Sequence, residues 1–219
     1  MTRGFDAVLC DVDGVIRFFD GAGVAELERE AGLPEGSTAA VGFAPGVDLP
    51  LLLGRITKAQ WVEAIARGLE PGVDGGRARR LARAFADSPF RADPAVVEVL
   101  RRARKHGPVV LVTNATRWLD EDLALMGLTD LADAVVNSSE VGCAKPDRRI
   151  YELAAERAGV PAHRCLFVDD REENVEAARA LGMTGVLYRE PEDLRRALGA
   201  AGWADGVRRP SAGGREAAG

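Results

Sequence analysis

The sequence predicts an α/β protein, a parallel sheet flanked by helices and interrupted after its first strand by a small all-α insert. Three observations predict it. Short apolar runs recur along the chain and stop abruptly at polar residues, as buried strands do. Helical stripes fill the gaps between those runs from about residue 91 to 200, an alternation that implies βαβ units. The stretch from about 16 to 90 carries helix patterns and no strand alternation. The expected division is a core of 1–15 and 91–202, a helical insert of 16–90, and a disordered tail at 203–219, where periodicity is lost.

The first apolar run is Phe5–Cys10, ending in Asp11-Val-Asp-Gly14. Further strand signals are Pro108–Thr113, Ala134–Val136, Arg164–Val168 and Gly185–Tyr188. Asp93-Pro94 reads as an N-cap followed by proline in the first turn, with Val96, Val97, Leu100 and Ala103 on one helix face. Ile150, Tyr151, Ala154 and Ala158 make a second stripe, and Val175, Ala178 and Leu181 a third. Within the insert, Val24, Leu27 and Ala31 form a short stripe. Thr57-Lys-Ala-Gln60 is a capping box that opens a helix bearing Trp61, Ile65 and Leu69. Ala78, Leu81 and Phe85 mark one more helix. Gly- and Pro-rich turns at 42–46 and 71–76 separate them.

Composition narrows the function classes. The 219 residues are 47% hydrophobic and 29% charged, as in ordinary globular proteins, and long enough for a substantial core. The formal net charge of −5 argues against nucleic acid as the main partner. No apolar run approaches the roughly 20 residues of a membrane span. The N-terminal Met1–Asp6 lacks a signal-peptide core, and Cys10, Cys143 and Cys165 have no metal-ligand spacing. The expectation is a cytoplasmic protein with reduced thiols, monomeric or homodimeric.

Ligands of an open parallel sheet sit outside the carboxyl ends of its strands, so the residues there carry the chemistry. They are Asp11 and Asp13, Thr113 and Asn114, the loop leading to Lys145-Pro-Asp147, and Asp169 and Asp170. Four converging carboxylates repel one another, and all-oxygen donors select a hard cation such as Mg²⁺. Set against Mg²⁺ and Lys145, the four aspartates leave one negative charge. Protonating one carboxyl leaves a neutral site, ready for an anionic phosphate.

Asp11-Val-Asp-Gly-Val15, the Thr113-Asn114 strand end, Lys145-Pro-Asp147 and Phe167-Val-Asp-Asp-Arg-Glu-Glu-Asn174 together resemble, in order, the four motifs of the haloacid dehalogenase superfamily. The resemblance spans residues 5–190, is closest to the phosphatase-type branch with Asp-Asp and Asn in the fourth motif, and implies a Rossmann-like core. The 16–90 insert sits where that family places its helical cap. Each motif alone is weak, whereas four in order are specific. The resemblance implies that Asp11 is the nucleophile, forming an aspartyl-phosphate. It implies that Asp13 protonates the leaving oxygen and then activates water, its backbone carbonyl helping to hold Mg²⁺. Thr113 and the Asn114 N–H would hold phosphoryl oxygens, and Lys145 would neutralise them. Asp170 would bind the metal directly, with Asp169 acting through water or Lys145 and Asn174 as support, Glu173 being the alternative to Asn174.

The implied activity is hydrolysis of small, sugar-phosphate-like monoesters under a closing cap. A phosphomutase uses the same residues with a second hydroxyl as acceptor. A 2-haloacid dehalogenase does not need Asp13 as a proton donor. Phospho-accepting receiver domains use Asp, Thr and Lys with Mg²⁺, but their acidic pair comes first, and here it follows the lysine. A catalytically dead regulatory member would lack Asp11, Asp13 or Lys145. Cys10 and Cys143 read as buried small hydrophobes, and His106 and His163 lie outside the motifs.

Overall fold

The computed structural model describes residues 4–203. Among the described residues, seven strands form two sheets. β1 (Ala7–Cys10), β4 (Val109–Thr113), β5 (Ala134–Asn137), β6 (Cys165–Asp169) and β7 (Thr184–Leu187) make a parallel sheet in the order β5-β4-β1-β6-β7. β2 (Arg17–Phe19) and β3 (Phe90–Ala92) pair antiparallel as a separate ribbon.

Side chains alternate across the main sheet. Val8, Cys10, Leu111, Leu166 and Val168 face one apolar cluster, where α6 (Pro94–Ala103), α7 (Leu119–Leu125) and α11 (Pro191–Ala200) pack. Ala7, Leu9, Val110, Val112 and Phe167 face the other, covered by α9 (Arg148–Ala158) and α10 (Glu172–Ala180). A sheet covered on both faces must be apolar on both, which is why its strands read as continuous apolar runs. α8 (Ser138–Val141) is a single turn after β5.

Between the ribbon strands lie α1 (Ala22–Glu30), α2 (Ser37–Gly42), α3 (Pro45–Leu52), α4 (Lys58–Leu69) and α5 (Gly75–Ala86). They close on a cluster of their own containing Leu51, Trp61, Ile65, Leu69 and Leu81. The capping box forms: Gln60 N donates to Thr57 Oγ1 at 3.2 Å and Thr57 N to Gln60 Oε1 at 2.8 Å.

Two expectations need correction. The insert is not all-helical from residue 16, because its two ends zip into the β2–β3 ribbon and Ile16 is buried in the main core. Three-residue strands are too short to show alternation. The expected tail also starts too early. Trp203 is buried against Phe5, with ring centroids 5.1 Å apart, and stacks on His106 at 5.8 Å. One large ring covering apolar surface suffices to hold it there. Positions 204–219 of that expected tail lie outside the described residues. Among the described residues, no helix is long and apolar enough to cross a membrane.

Candidate active site

β1 is the central strand, and its pairing with β4 on one side and β6 on the other brings three strand ends together. Asp11 follows β1 directly, and its N–H donates to Val168 O at 2.9 Å, so the residue is anchored to β6. Its carboxylate is buried, and Oδ1 accepts from Val12 N at 2.7 Å. Lys145 Nζ lies 2.8 Å from Asp11 Oδ1 and 2.7 Å from Asp169 Oδ2, with its side chain 1% exposed. Burial works against the lysine's charge, but the two carboxylates overcome that and raise its pKa. Burial also pushes the Asp11 carboxyl up to about 8; Lys145 pulls it back, and Asp169 and Asp13 add repulsion.

Asp169 is fully enclosed. It accepts from Lys145, from Asn174 Nδ2 at 2.9 Å and from Arg171 N at 2.9 Å. Asn174 is itself fixed, because Tyr151 Oη donates to its carbonyl at 3.0 Å. Asp170 is half-buried, and burial followed by Asp169 raises its pKa. Asp11, Asp169 and Asp170 each offer an oxygen within 4.8 Å of the other two. One ammonium cannot balance three such carboxylates, so the donor set fits a hard divalent cation.

Thr113 Oγ1 is buried and lacks a hydrogen-bond partner. Such a group is rare unless a ligand completes it. The Asn114 side chain is occupied: Lys145 N donates to Oδ1 at 2.7 Å, and Nδ2 donates to Lys145 O at 2.9 Å. This amide clasp fixes the lysine loop to the end of β4. The sequence reading had used only the Asn114 backbone.

Asp13 stands apart from this cluster. Its two oxygens accept from Arg17 Nε at 2.5 Å and Nη2 at 2.9 Å. Arg17 and its other partner, Asp122, escaped the sequence reading, although a lone arginine inside Val15-Ile-Arg-Phe-Phe19 was a usable signal of a buried ion pair. Gly14 was also undervalued. Its φ of +79° suits glycine, and a Cβ there would lie 2.3 Å from Asp170 Oδ2. The missing side chain is what lets Asp170 close on the site. Cys10 is buried behind Asp11, and burial pushes its thiol pKa far up, so it packs and does not react.

A cleft of about 1420 Å³ opens from these carboxylates toward the helical insert. Phe19, Phe43, Trp61, Phe85, Phe90 and Trp118 supply its aromatic lining.

A family model described as haloacid dehalogenase-like hydrolase matches residues 5–182. A phosphatase of Mycobacterium tuberculosis (strain CDC 1551 / Oshkosh) is 36% identical over 191 residues, covering 83% of this chain and 86% of that protein. The bifunctional epoxide hydrolase 2 of Rattus norvegicus is 26% identical over 208 residues, which is 86% of this chain and only 37% of that longer protein. Among solved structures, an enzyme of the same family from Bacteroides thetaiotaomicron, in complex with magnesium and inorganic phosphate, superposes with a TM-score of 0.64 at 22% identity, covering 83% of this chain and 92% of that one. The L-2-haloacid dehalogenase of Xanthobacter autotrophicus, with chloropropionic acid covalently bound, gives 0.60 at 24% identity, over 94% of this chain and 85% of that one. At those identities the two structures speak for the fold alone.

Proposed function

This chain belongs to the haloacid dehalogenase-like hydrolases, and on that footing we propose that it is a magnesium-dependent phosphatase of small phosphate monoesters. The observation that carries this reading is the Asp11–Lys145–Asp169 contact with Asp170 beside it, at the carboxyl end of the central strand. Burial favours the protonated Asp11 carboxyl, and a bound cation beside Lys145 would favour the carboxylate, which could then attack phosphorus without a base, giving an aspartyl-phosphate. Thr113 Oγ1 and the Asn114 N–H hold the phosphoryl oxygens, and Lys145 offsets their charge. Asp11, Asp170 and the Asp13 carbonyl would hold Mg²⁺, with Asp169 fixing Lys145 behind them. When bound, the ion neutralises charge on the transferring phosphoryl group. Asp13 protonates the departing oxygen and afterwards takes a proton from water.

The cleft supports substrates with a single phosphoryl group. Its four lining cations are each already paired: Arg17 with Asp13 and Asp122, Lys58 with Asp87, Lys145 with Asp11 and Asp169, and Arg171 with Glu173. Among the lining cations, Lys145 is the one buried beside the carboxylates, which suits one phosphoryl group held there. The aromatic lining suits a leaving group with an apolar face, whether a sugar's C–H face or an aryl ring. The insert over the cleft acts as a cap over 16–90 and favours small molecules over folded phosphoproteins. Asp13 favours phosphoryl transfer over dehalogenation, which needs no such donor. The test is phosphate release from a panel of monoesters with and without Mg²⁺. The reading predicts metal-dependent release that Asp11→Asn abolishes; release unaffected by thorough chelation would refute it.

A further inference from the structure

The Asp13 carboxylate, assigned above to proton transfer, is fully engaged away from Asp11. Arg17 grips both its oxygens, at 2.5 and 2.9 Å, in the bidentate geometry that holds a carboxylate most firmly. The same guanidinium uses Nη1 to donate to Asp122 Oδ2 at 2.5 Å, across 105 residues of sequence. Arg17 is 3% exposed, and its guanidinium carbon lies 4.9 Å from the Phe19 ring centre and 5.4 Å from that of Phe90. The backbone adds rigidity, since Arg17 N donates to Val12 O at 2.8 Å and Gly14 N to Arg17 O at 3.0 Å. The Asp13 side chain, by contrast, is 36% exposed, so solvent lies beside it if it leaves Arg17.

One buried cation thus sits between two carboxylates, one able to move and one not: Asp122 is buried on α7. An unpaired buried charge is costly, so a lone Arg17–Asp13 pair would resist opening. With Asp122 present, Asp13 can leave and Arg17 keeps a partner. We propose that Arg17 and Asp122 form a positioning pair, Arg17 parking Asp13 and Asp122 remaining as the counter-ion that makes its release cheap. This rests on the phosphatase reading. In the step it serves, water attacks phosphorus, the bond from phosphorus to the Asp11 oxygen breaks, and the water proton passes to the released Asp13.

The test is rapid mixing of the full chain with p-nitrophenyl phosphate and Mg²⁺, comparing wild type, Asp122→Asn, Arg17→Gln and the double variant. Nitrophenolate departs without a proton, so the first step does not need Asp13. In Asp122→Asn, Asp13 is pinned. The expected trace is a burst of about one nitrophenolate per enzyme at the wild-type rate, then turnover about 10²-fold slower or more, inside the range a proton-transfer group contributes. Arg17→Gln added to Asp122→Asn removes the pin and should restore most of the turnover. A purely structural role predicts the opposite, with both phases falling together and the double variant worse than either single one; that result would overturn the proposal. Should Asp122→Asn not accumulate folded, Arg17→Gln alone decides: turnover close to wild type supports parking, and a stall after one burst refutes it. Wild-type protein with no Asp11-dependent turnover would instead refute the phosphatase reading, and the pair's role with it.

Discussion

Asp11 and Asp13 are two residues apart in sequence, yet the structure treats them in opposite ways. Asp11 lies on the floor of the site, buried between strand ends and tied to Lys145, which is tied in turn to Asp169. Asp13 lies on the ribbon side, half-exposed and held by Arg17. On the floor, both carboxylates that flank the lysine are buried, 7% and 0% exposed, so neither can swing out into water. On the ribbon side, one of the two carboxylates that flank the arginine, Asp13, is 36% exposed, and Asp122 remains behind when it moves. A nucleophile and phosphate-binding groups need fixed positions, whereas a group that gives a proton and later takes one needs freedom to move.

The largest effect should come from breaking the floor. Lys145→Met leaves Asp11 and Asp169 buried without their cation. Activity should vanish and the metal-free protein should lose about 3–5 kcal/mol, as expected when one partner of a buried pair is removed. Urea unfolding measures this, and Mg²⁺ should recover part of the loss by replacing the missing charge. A variant as stable as wild type without metal would mean that the floor carries no such strain.

A finer comparison sets Asp169 against Asp170. Asp169 accepts from three donors, while Asp170 presents its carboxylate beside Gly14. Asp170→Asn should raise the Mg²⁺ concentration for half-maximal activity at least about tenfold with little change in melting temperature. Asp169→Asn should lower the melting temperature more. Identical metal titrations and identical melting curves would erase the distinction.

How much of this was legible in the sequence follows from the same physics. β1, β4 and β6 were readable because strands covered on both faces are unbroken apolar runs, and their polar ends mark the site. The Asp93 cap was readable because capping is local: its Oδ1 accepts from Ala95 N at 2.8 Å. The β2–β3 ribbon was not, since its two strands are three residues each and 70 residues lie between them. The Arg17–Asp122 contact is likewise long-range, and nothing near Asp122 in the sequence marks it. The Asn114 clasp was hidden for another reason: the residue was noticed, but its side chain and its backbone serve different partners.

The smallest effect belongs to the cleft wall. Burial pushes the Asp48 carboxyl up to about 6, with Arg171 opposing. The folded state therefore holds this proton more tightly than the unfolded chain does. The stability this confers is full below the ordinary aspartate range and is lost as pH rises through about 6. Asp48→Asn should raise the melting temperature by about 1–3 °C at pH 7.5 and not at pH 4. An equal gain at both pH values would place its cause outside ionisation.

The central claim is that Asp11, held by Lys145 at the end of the central strand, takes the phosphoryl group. Rapid acid quenching of the enzyme with a radiolabelled monoester and Mg²⁺, followed by peptide mapping, tests it most directly. The account predicts acid-stable, hydroxylamine-labile label on the peptide containing Asp11, at up to about one per chain and absent from Asp11→Asn. Label on any other residue, or label persisting in Asp11→Asn, would contradict it.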